Sequence, residues 1–214
     1  LSDHETYSNA GGGGLSNYFK VKPWRKPSLI LDADPPHHTR TRKVLMNVFS
    51  ATALKAMKPG FEPVAAQLVD AALDAGEIEA VNDLVAPFPL TVFPDAVGMP
   101  RLDRHMMLKY GGMVFGAFGP LTDWYHELMK DAEEVSAWID AHCQRSALAP
   151  GGLGQEIYAA ADAGVVTEVV AKLLVRSLLS AGVDTTVDSI GLALRCLVDN
   201  PDQLALLKAD PSLA

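Results

Sequence analysis

Cysteine is scarce in this chain: two in 214 residues, Cys143 and Cys196, each inside an apolar helical pattern. Two such cysteines build no disulfide framework. Both read as small buried hydrophobes, and a reducing compartment, the cytoplasm, is expected. Long apolar runs are also missing. The longest helical stretch is interrupted by Lys172, Arg176, Asp184 and Arg195, too often for a membrane span. Positive charge is in deficit, with 18 Lys and Arg against 26 Asp and Glu and a net charge of −8, which argues against a nucleic-acid surface. Leu1 to Thr6 hold no basic leader and no apolar segment of a signal peptide, and read as a cut into existing structure. There are no internal repeats and no low-complexity tail. What remains is a composition 49% hydrophobic and 21% charged, that of one soluble domain able to bury a sizeable core.

The breaks along the chain predict helices with short connections. Gly11 to Gly14 is a flexible joint, and residues 15–33 form a loop rich in aromatic and basic residues. A helix is expected from Asp34, and a second over 51–74, broken at Pro59-Gly60. Ile78 to Val81 is a short strand candidate. Helices are then expected over 83–98, 103–118 and 121–147, followed by a short one ending near Ala163. A long helix spans 167–199, and another restarts at Asn200-Pro201 with Asn as N-cap and Pro at N1.

The long helix carries a weak spot at Leu178-Leu179-Ser180-Ala181-Gly182-Val183-Asp184-Thr185-Thr186. Gly182 costs about 1 kcal/mol against Ala in a helix interior, and the Asp and two Thr add ~0.5 kcal/mol each. Such a cost has a packing or functional reason. The Thr185 hydroxyl can back-bond to the carbonyl of Ala181 or Gly182, which bends a helix. Ala181 and Gly182 lack bulk, so a flat ligand has room to approach there. Asp184 beside Thr185 sets an acid next to an alcohol, the parts of a proton relay. The plain alternative is a kinked helix with a solvated Asp.

A second motif is Asp34-Pro35-Pro36-His37-His38-Thr39-Arg40-Thr41-Arg42-Lys43, leading to Phe49-Ser50. Asp34 is an N-cap candidate and the prolines suit a first turn. His38 and Arg42 share one helix face and together can hold two carboxylates, Arg in a bidentate grip. The alternative is a solvated surface.

The two motifs together resemble the cytochrome P-450 family of haem-thiolate monooxygenases. Residues 34–50 are similar to that family's C helix, and Ala181-Gly182-x-Asp184-Thr185-Thr186 to its I helix, in the family's order and spacing. The resemblance implies a mainly α fold with minor β, running from the B–C loop through the I helix into the next helix. It implies haem b, iron protoporphyrin IX, with His38 and Arg42 on its propionates and Ala181 and Gly182 against its face. It casts Asp184 and Thr185 as the catalytic pair. The family's Glu-x-x-Arg pair and its iron-ligating Cys loop have no match in residues 1–214. The chain therefore reads as a single-domain fragment with no metal ligand of its own and the axial Cys expected beyond Ala214.

Ser177, Ala181 and Thr185 lie along one helix face, with Ser177 about 12 Å from Thr185, the scale of a benzoate laid end to end. The segments 17–42 and 176–186 are similar to those of bacterial P-450s that oxidise para-substituted benzoates. That likeness implies a carboxylate held by Arg25, Ser28 and Ser177, with Arg176 and Ser180 close by. Leu31, Phe115, Phe118 and Ala181 would line the ring. The alternative makes Arg25 and Lys26 surface charges and the two Phe core residues. The reaction implied is hydroxylation or oxidative O-demethylation, using O2 and electrons from an iron-sulfur ferredoxin with its reductase, or from a flavin protein. Arg40, Arg42 and Lys43 would contribute to that docking surface of a monomer. Two other readings stay open: the same chemistry on a neutral apolar substrate such as a terpenoid, and a non-catalytic helical binding fragment.

Overall fold

The computed structural model describes residues 3–213, and among them there are only helices, turns and loops. The α-helices are α1 (His37–Val48), α2 (Ala51–Ala75), α3 (Pro87–Val97), α4 (Met106–Gly116), α5 (Asp123–Leu128), α6 (Ala132–His142), α7 (Leu153–Asp162), α8 (Glu168–Gly182), α9 (Asp184–Asp199) and α10 (Pro201–Ala209). None of them is long and apolar enough to cross a membrane.

The centre is α8. Thr167 caps it by accepting a hydrogen bond from the Val170 amide at 3.3 Å, and Glu168 stands in its positive first turn. Ala171, Leu174, Val175 and Leu179 on α8 are almost fully buried, facing Met107 and Met113 of α4, Val135 and Ile139 of α6 and Ile157 of α7. Helices α3, α4 and α7 all pack on α8, and α1 and α6 touch its flanks. Burying one such side chain contributes roughly 1.5–3 kcal/mol, so this single helix supplies much of the fold's stability. On α9, by contrast, only Val187 is buried.

Several expected boundaries differ. Helix α1 starts at His37, and Asp34 does not cap it. A cap at Asp34 would put Pro35 and Pro36 at N1 and N2, where neither has an amide hydrogen to donate, and Pro35, as the residue before a proline, is pushed out of the helical region. The Asp34 carboxylate instead accepts from the Asn9 amide at 2.9 Å and the Ser8 hydroxyl, and these bonds lower its pKa. Helix α2 runs unbroken through Pro59 and Pro63. Ile78–Val81 is not a strand: Ala80–Val85 is a π-helical turn. The Glu79 carboxylate accepts from the Val81 and Asn82 amides, and the Glu79 amide donates to Asp83 at 2.8 Å. That reciprocal capping outweighs the β-leaning Ile and Val. The helix expected over 121–147 divides into α5, a 3-10 turn at Met129–Asp131 and α6. Lys109 of α4 pins that turn through Asp131 at 2.8 Å. Cys143 is buried, as expected, and burial pushes its thiol up to about 12. Cys196 is exposed, contrary to expectation, because it lies on the side of α9 turned away from the core.

Candidate functional site

The long helix is interrupted where its composition is weakest. Val183, with φ −105° and ψ −67°, separates α8 from α9. Just past it the Thr185 hydroxyl donates to the Ala181 carbonyl at 2.6 Å, and the Thr186 hydroxyl donates to Gly182 at 3.1 Å. These are the back-bonds the hydroxyl spacing predicts, and they occur where the helix bends. Ala181 and Thr185 are exposed and share one face with Ser177 and Ser189. The Ser177 and Ser180 hydroxyls bond carbonyls of their own helix, Leu173 at 2.9 Å and Ser177 at 3.1 Å.

Gly182 is used differently from the expectation. A Cβ there would stand 2.2 Å from Cε1 of Phe93 and 2.6 Å from two further ring atoms. The missing side chain admits the Phe93 ring of α3, and the open approach at the bend belongs to Ala181. Gly182→Ala is therefore expected to destabilise the fold by about 1–3 kcal/mol, despite alanine's better helix propensity. Melting of Gly182→Ala beside Gly182→Ala/Phe93→Ala checks this, and the second substitution should return part of the loss.

Asp184 opens α9 and is half-buried. Burial, then the charge of Asp188, raises its pKa. A carboxyl with a raised folded pKa favours the fold when protonated, and this advantage fades as pH climbs from the unfolded value of 3.8 through the folded one. Asp184→Asn should accordingly raise the melting temperature at neutral pH, with the gain shrinking as pH falls toward 4. A gain independent of pH would contradict this.

His38 and Arg42 lie one turn apart on α1, His38 half-buried and Arg42 exposed. Neither side chain has a hydrogen-bond or ion-pair partner among the described residues. Thr41 between them is buried, and its hydroxyl donates to the Leu29 carbonyl at 2.8 Å, tying α1 to the 15–33 loop. Arg40 and Lys43 are also exposed.

The loop meets the core through a second cation. Arg176 of α8 is only 8% exposed, and its Nη2 donates to the Lys26 carbonyl at 2.8 Å and the Pro27 carbonyl at 3.2 Å. Its Nε is buried without a partner, and burial lowers its pKa. Part of Arg176's donor capacity thus holds the loop. Arg25 lies 5.9 Å over the Trp24 ring, and Trp24 packs on Tyr110 with centroids 5.8 Å apart. Burial raises the pKa of Tyr110, whose hydroxyl has no partner. Trp24, Arg25, Tyr110, Asp140 and Arg176 line a cavity of about 260 Å³. Ser28 is buried, and its hydroxyl oxygen accepts from the Ile30 and Leu31 amides at 3.2 and 3.1 Å, which leaves its proton as the donor. Phe115 and Phe118 pack edge-on with centroids 6.0 Å apart, Phe115 exposed and Phe118 against the core. Leu31 is exposed.

Sequence reasoning missed Phe93, Tyr110 and Gly111. The paired glycines 111 and 112 inside a helical pattern were the available signal for the last. No group of three His, Cys, Asp or Glu side chains able to hold a metal exists among the described residues.

The helical order, the bend with its Thr185 back-bond and the face of α1 can be compared with known proteins. No protein-family model matches the chain. It is 48% identical over 215 aligned residues to cytochrome p450 CYP199A2 of Rhodopseudomonas palustris, covering all of this chain and 52% of that protein. Over its whole length the chain is similar to a member of the cytochrome P-450 family. It is 30% identical to the putative cytochrome P450 140 of Mycobacterium tuberculosis, over 91% of this chain and 46% of that protein. The structure of P450BioI in complex with a fatty-acid-ligated acyl carrier protein shares the fold, with a TM-score of 0.74 at 22% identity over 86% of this chain and 48% of that one. The chain spans about half the length of the curated P-450 relatives it matches.

Proposed function

We propose that the protein is a haem-dependent monooxygenase acting on a small aromatic acid of the para-substituted benzoate class. The observation that carries this reading is the bend at Val183. There Thr185 and Ala181 share an exposed face through a 2.6 Å back-bond, with the half-buried carboxyl of Asp184 alongside.

The residues fit a haem. The unpartnered cation of Arg42 and the imidazole of His38, one turn apart on α1, form a donor set suited to two propionates. Ala181 offers the small, exposed surface a flat ring requires, and Gly182 serves the fold through Phe93 instead. Bound there, haem b supplies the activation of O2, using two electrons, and the insertion of one oxygen atom. Thr185 then orients a proton donor at the bend, and Asp184 exchanges protons with solvent. Replacing His38 and Arg42 together by Ala in the full-length protein should weaken haem retention by about 10- to 100-fold, the cost of losing charge-assisted hydrogen bonds. The haem-to-protein ratio after gel filtration measures it.

For the substrate, Arg25 supplies the cation and Ser28 a hydroxyl proton that meet a carboxylate, and Ser177 joins them by turning its hydroxyl from the Leu173 carbonyl to the carboxylate. Arg176 and Ser180 hold the loop and helix around it, and Leu31, Phe115, Phe118 and Ala181 contact the ring. The exposed Arg40, Arg42 and Lys43 suit an acidic iron-sulfur or flavin electron donor. Titrating the full-length haem protein with para-substituted benzoates should shift its haem spectrum at micromolar concentrations, and no shift would remove the substrate class. One observation favours a second reading, a neutral apolar substrate: Arg176 already spends its Nη2 on the Lys26 and Pro27 carbonyls. A shift with neutral aromatics and none with benzoates would establish it.

A further inference from the structure

A glycine inside a helix weakens it, and α4 carries two in succession, Gly111 and Gly112. Their surroundings differ. A Cβ at Gly112 would meet only Cδ2 of Leu128 at 3.8 Å, an ordinary contact. A Cβ at Gly111 would stand 2.7 Å from both Cβ and Cγ of Asp184 and 2.9 Å from its Oδ2. Gly111 is buried, α4 packs against both α8 and α9, and Asp184 is the first residue of α9 after the bend. The side chain of Asp184 therefore lies directly on the bare backbone of α4.

We infer that Gly111 is a positioning residue for the proton-relay carboxylate: the seat without a side chain on α4 determines where Asp184 and, one residue on, Thr185 stand. The inference rests on the proposed relay role of Asp184. The close approach is at Cβ as well as at the carboxylate, so rotating the Asp184 side chain does not relieve it. Added bulk at Gly111 must move the backbone at the bend or push α4 away from α9. Either motion carries Thr185 with it. A displacement of about 1 Å in a relay of this kind costs up to about 100-fold in rate.

The test is a double-substitution cycle in the full-length haem protein with its electron donor, using Gly111→Ala, Gly112→Ala as control, Asp184→Asn and Asp184→Gly. Gly111→Ala should slow product formation about 10- to 100-fold while substrate affinity, read from the haem spectrum, stays within about twofold. Gly112→Ala should leave both unchanged. Asp184→Asn should be slow by itself, and adding Gly111→Ala should slow it by clearly less than it slows the wild type, since the carboxylate's share of the displacement is already lost and only that of Thr185 remains. Equal slowing by Gly111→Ala in both backgrounds would show a merely structural glycine and overturn the inference. Asp184→Asn at the wild-type rate would refute the relay itself. A slow Asp184→Asn beside a Gly111→Ala of wild-type rate would leave the relay standing and refute only the seat. Melting gives the second readout and covers a poorly folding variant. Gly111→Ala should lower the melting temperature by about 2–5 °C with Asp184 present, and by less than half as much in Asp184→Gly, where the contacted atoms are gone. Equal lowering in the two backgrounds contradicts the contact.

Discussion

Arg25→Ala in the full-length haem protein is expected to weaken binding of a para-substituted benzoate by about 2–5 kcal/mol, roughly 30- to 5,000-fold, if the carboxylate is shielded from water. The reasoning is electrostatic. A benzoate brings a charge among Leu31, Phe115, Phe118 and Ala181, and desolvating it is costly unless a cation and donors meet it. Arg25 is half-buried over Trp24, with the Ser28 proton free to donate. Its neighbour Arg176 is anchored to the loop carbonyls and is not placed to substitute for it without releasing them. Water entering the pocket would reduce the loss. The uncharged amide of the same acid should be affected far less. Spectral titration of wild type and variant with acid and amide decides the matter. Equal losses for both would mean that Arg25 holds the loop rather than the substrate, and no loss for either would return it to the surface.

The second large effect concerns coupling. Thr185→Ala should leave substrate affinity nearly unchanged, because the hydroxyl is spent on the Ala181 carbonyl in the resting helix. It should divert most reducing equivalents to hydrogen peroxide, since no hydroxyl then positions the proton donor. General acid–base positioning of this kind is worth about 100- to 10,000-fold. The ratio of product formed to NAD(P)H consumed, with peroxide measured in parallel, reads it directly. Full coupling in the variant would remove Thr185 from the relay.

Local chemistry made the bend legible before any coordinates. A Gly, an Asp and two Thr within five residues cannot sit comfortably in mid-helix, and the only carbonyls within reach of Thr185 belong to Ala181 and Gly182. The hydroxyl takes the first of these. The restart at Pro201 follows from proline's suitability for a first turn, although the Asn200 side chain does not cap it and donates back to Cys196 instead. The misplaced elements were decided by partners distant in sequence or by competing polar groups. Asp34 is drawn to Ser8 and Asn9, and the Glu79–Asp83 exchange overrides the β tendency of Ile78 and Val81.

The same division holds in the site. His38 and Arg42 stand out by their spacing along one helix, and Asp184 and Thr185 as an acid beside an alcohol at a weak point of another, because local sequence alone sets these pairs side by side. Roles that depend on two helices meeting were invisible. Gly182 looked like an opening and is filled by Phe93, some ninety residues earlier. Arg176 looked like a ligand for the substrate and is anchored to Lys26 and Pro27. Gly111 drew no notice in the sequence and lies under Asp184. A glycine in a helix announces close approach, but the approaching group belongs to another part of the chain.

The most direct measurement of the central claim is the fate of molecular oxygen. The full-length haem protein, supplied with electrons, would be given 4-methylbenzoate under isotopically labelled O2, and the product examined by mass spectrometry. The account predicts a hydroxylated benzoate carrying one labelled oxygen atom, with the other recovered in water. Unlabelled product, or O2 consumed with the benzoate untouched, would contradict it.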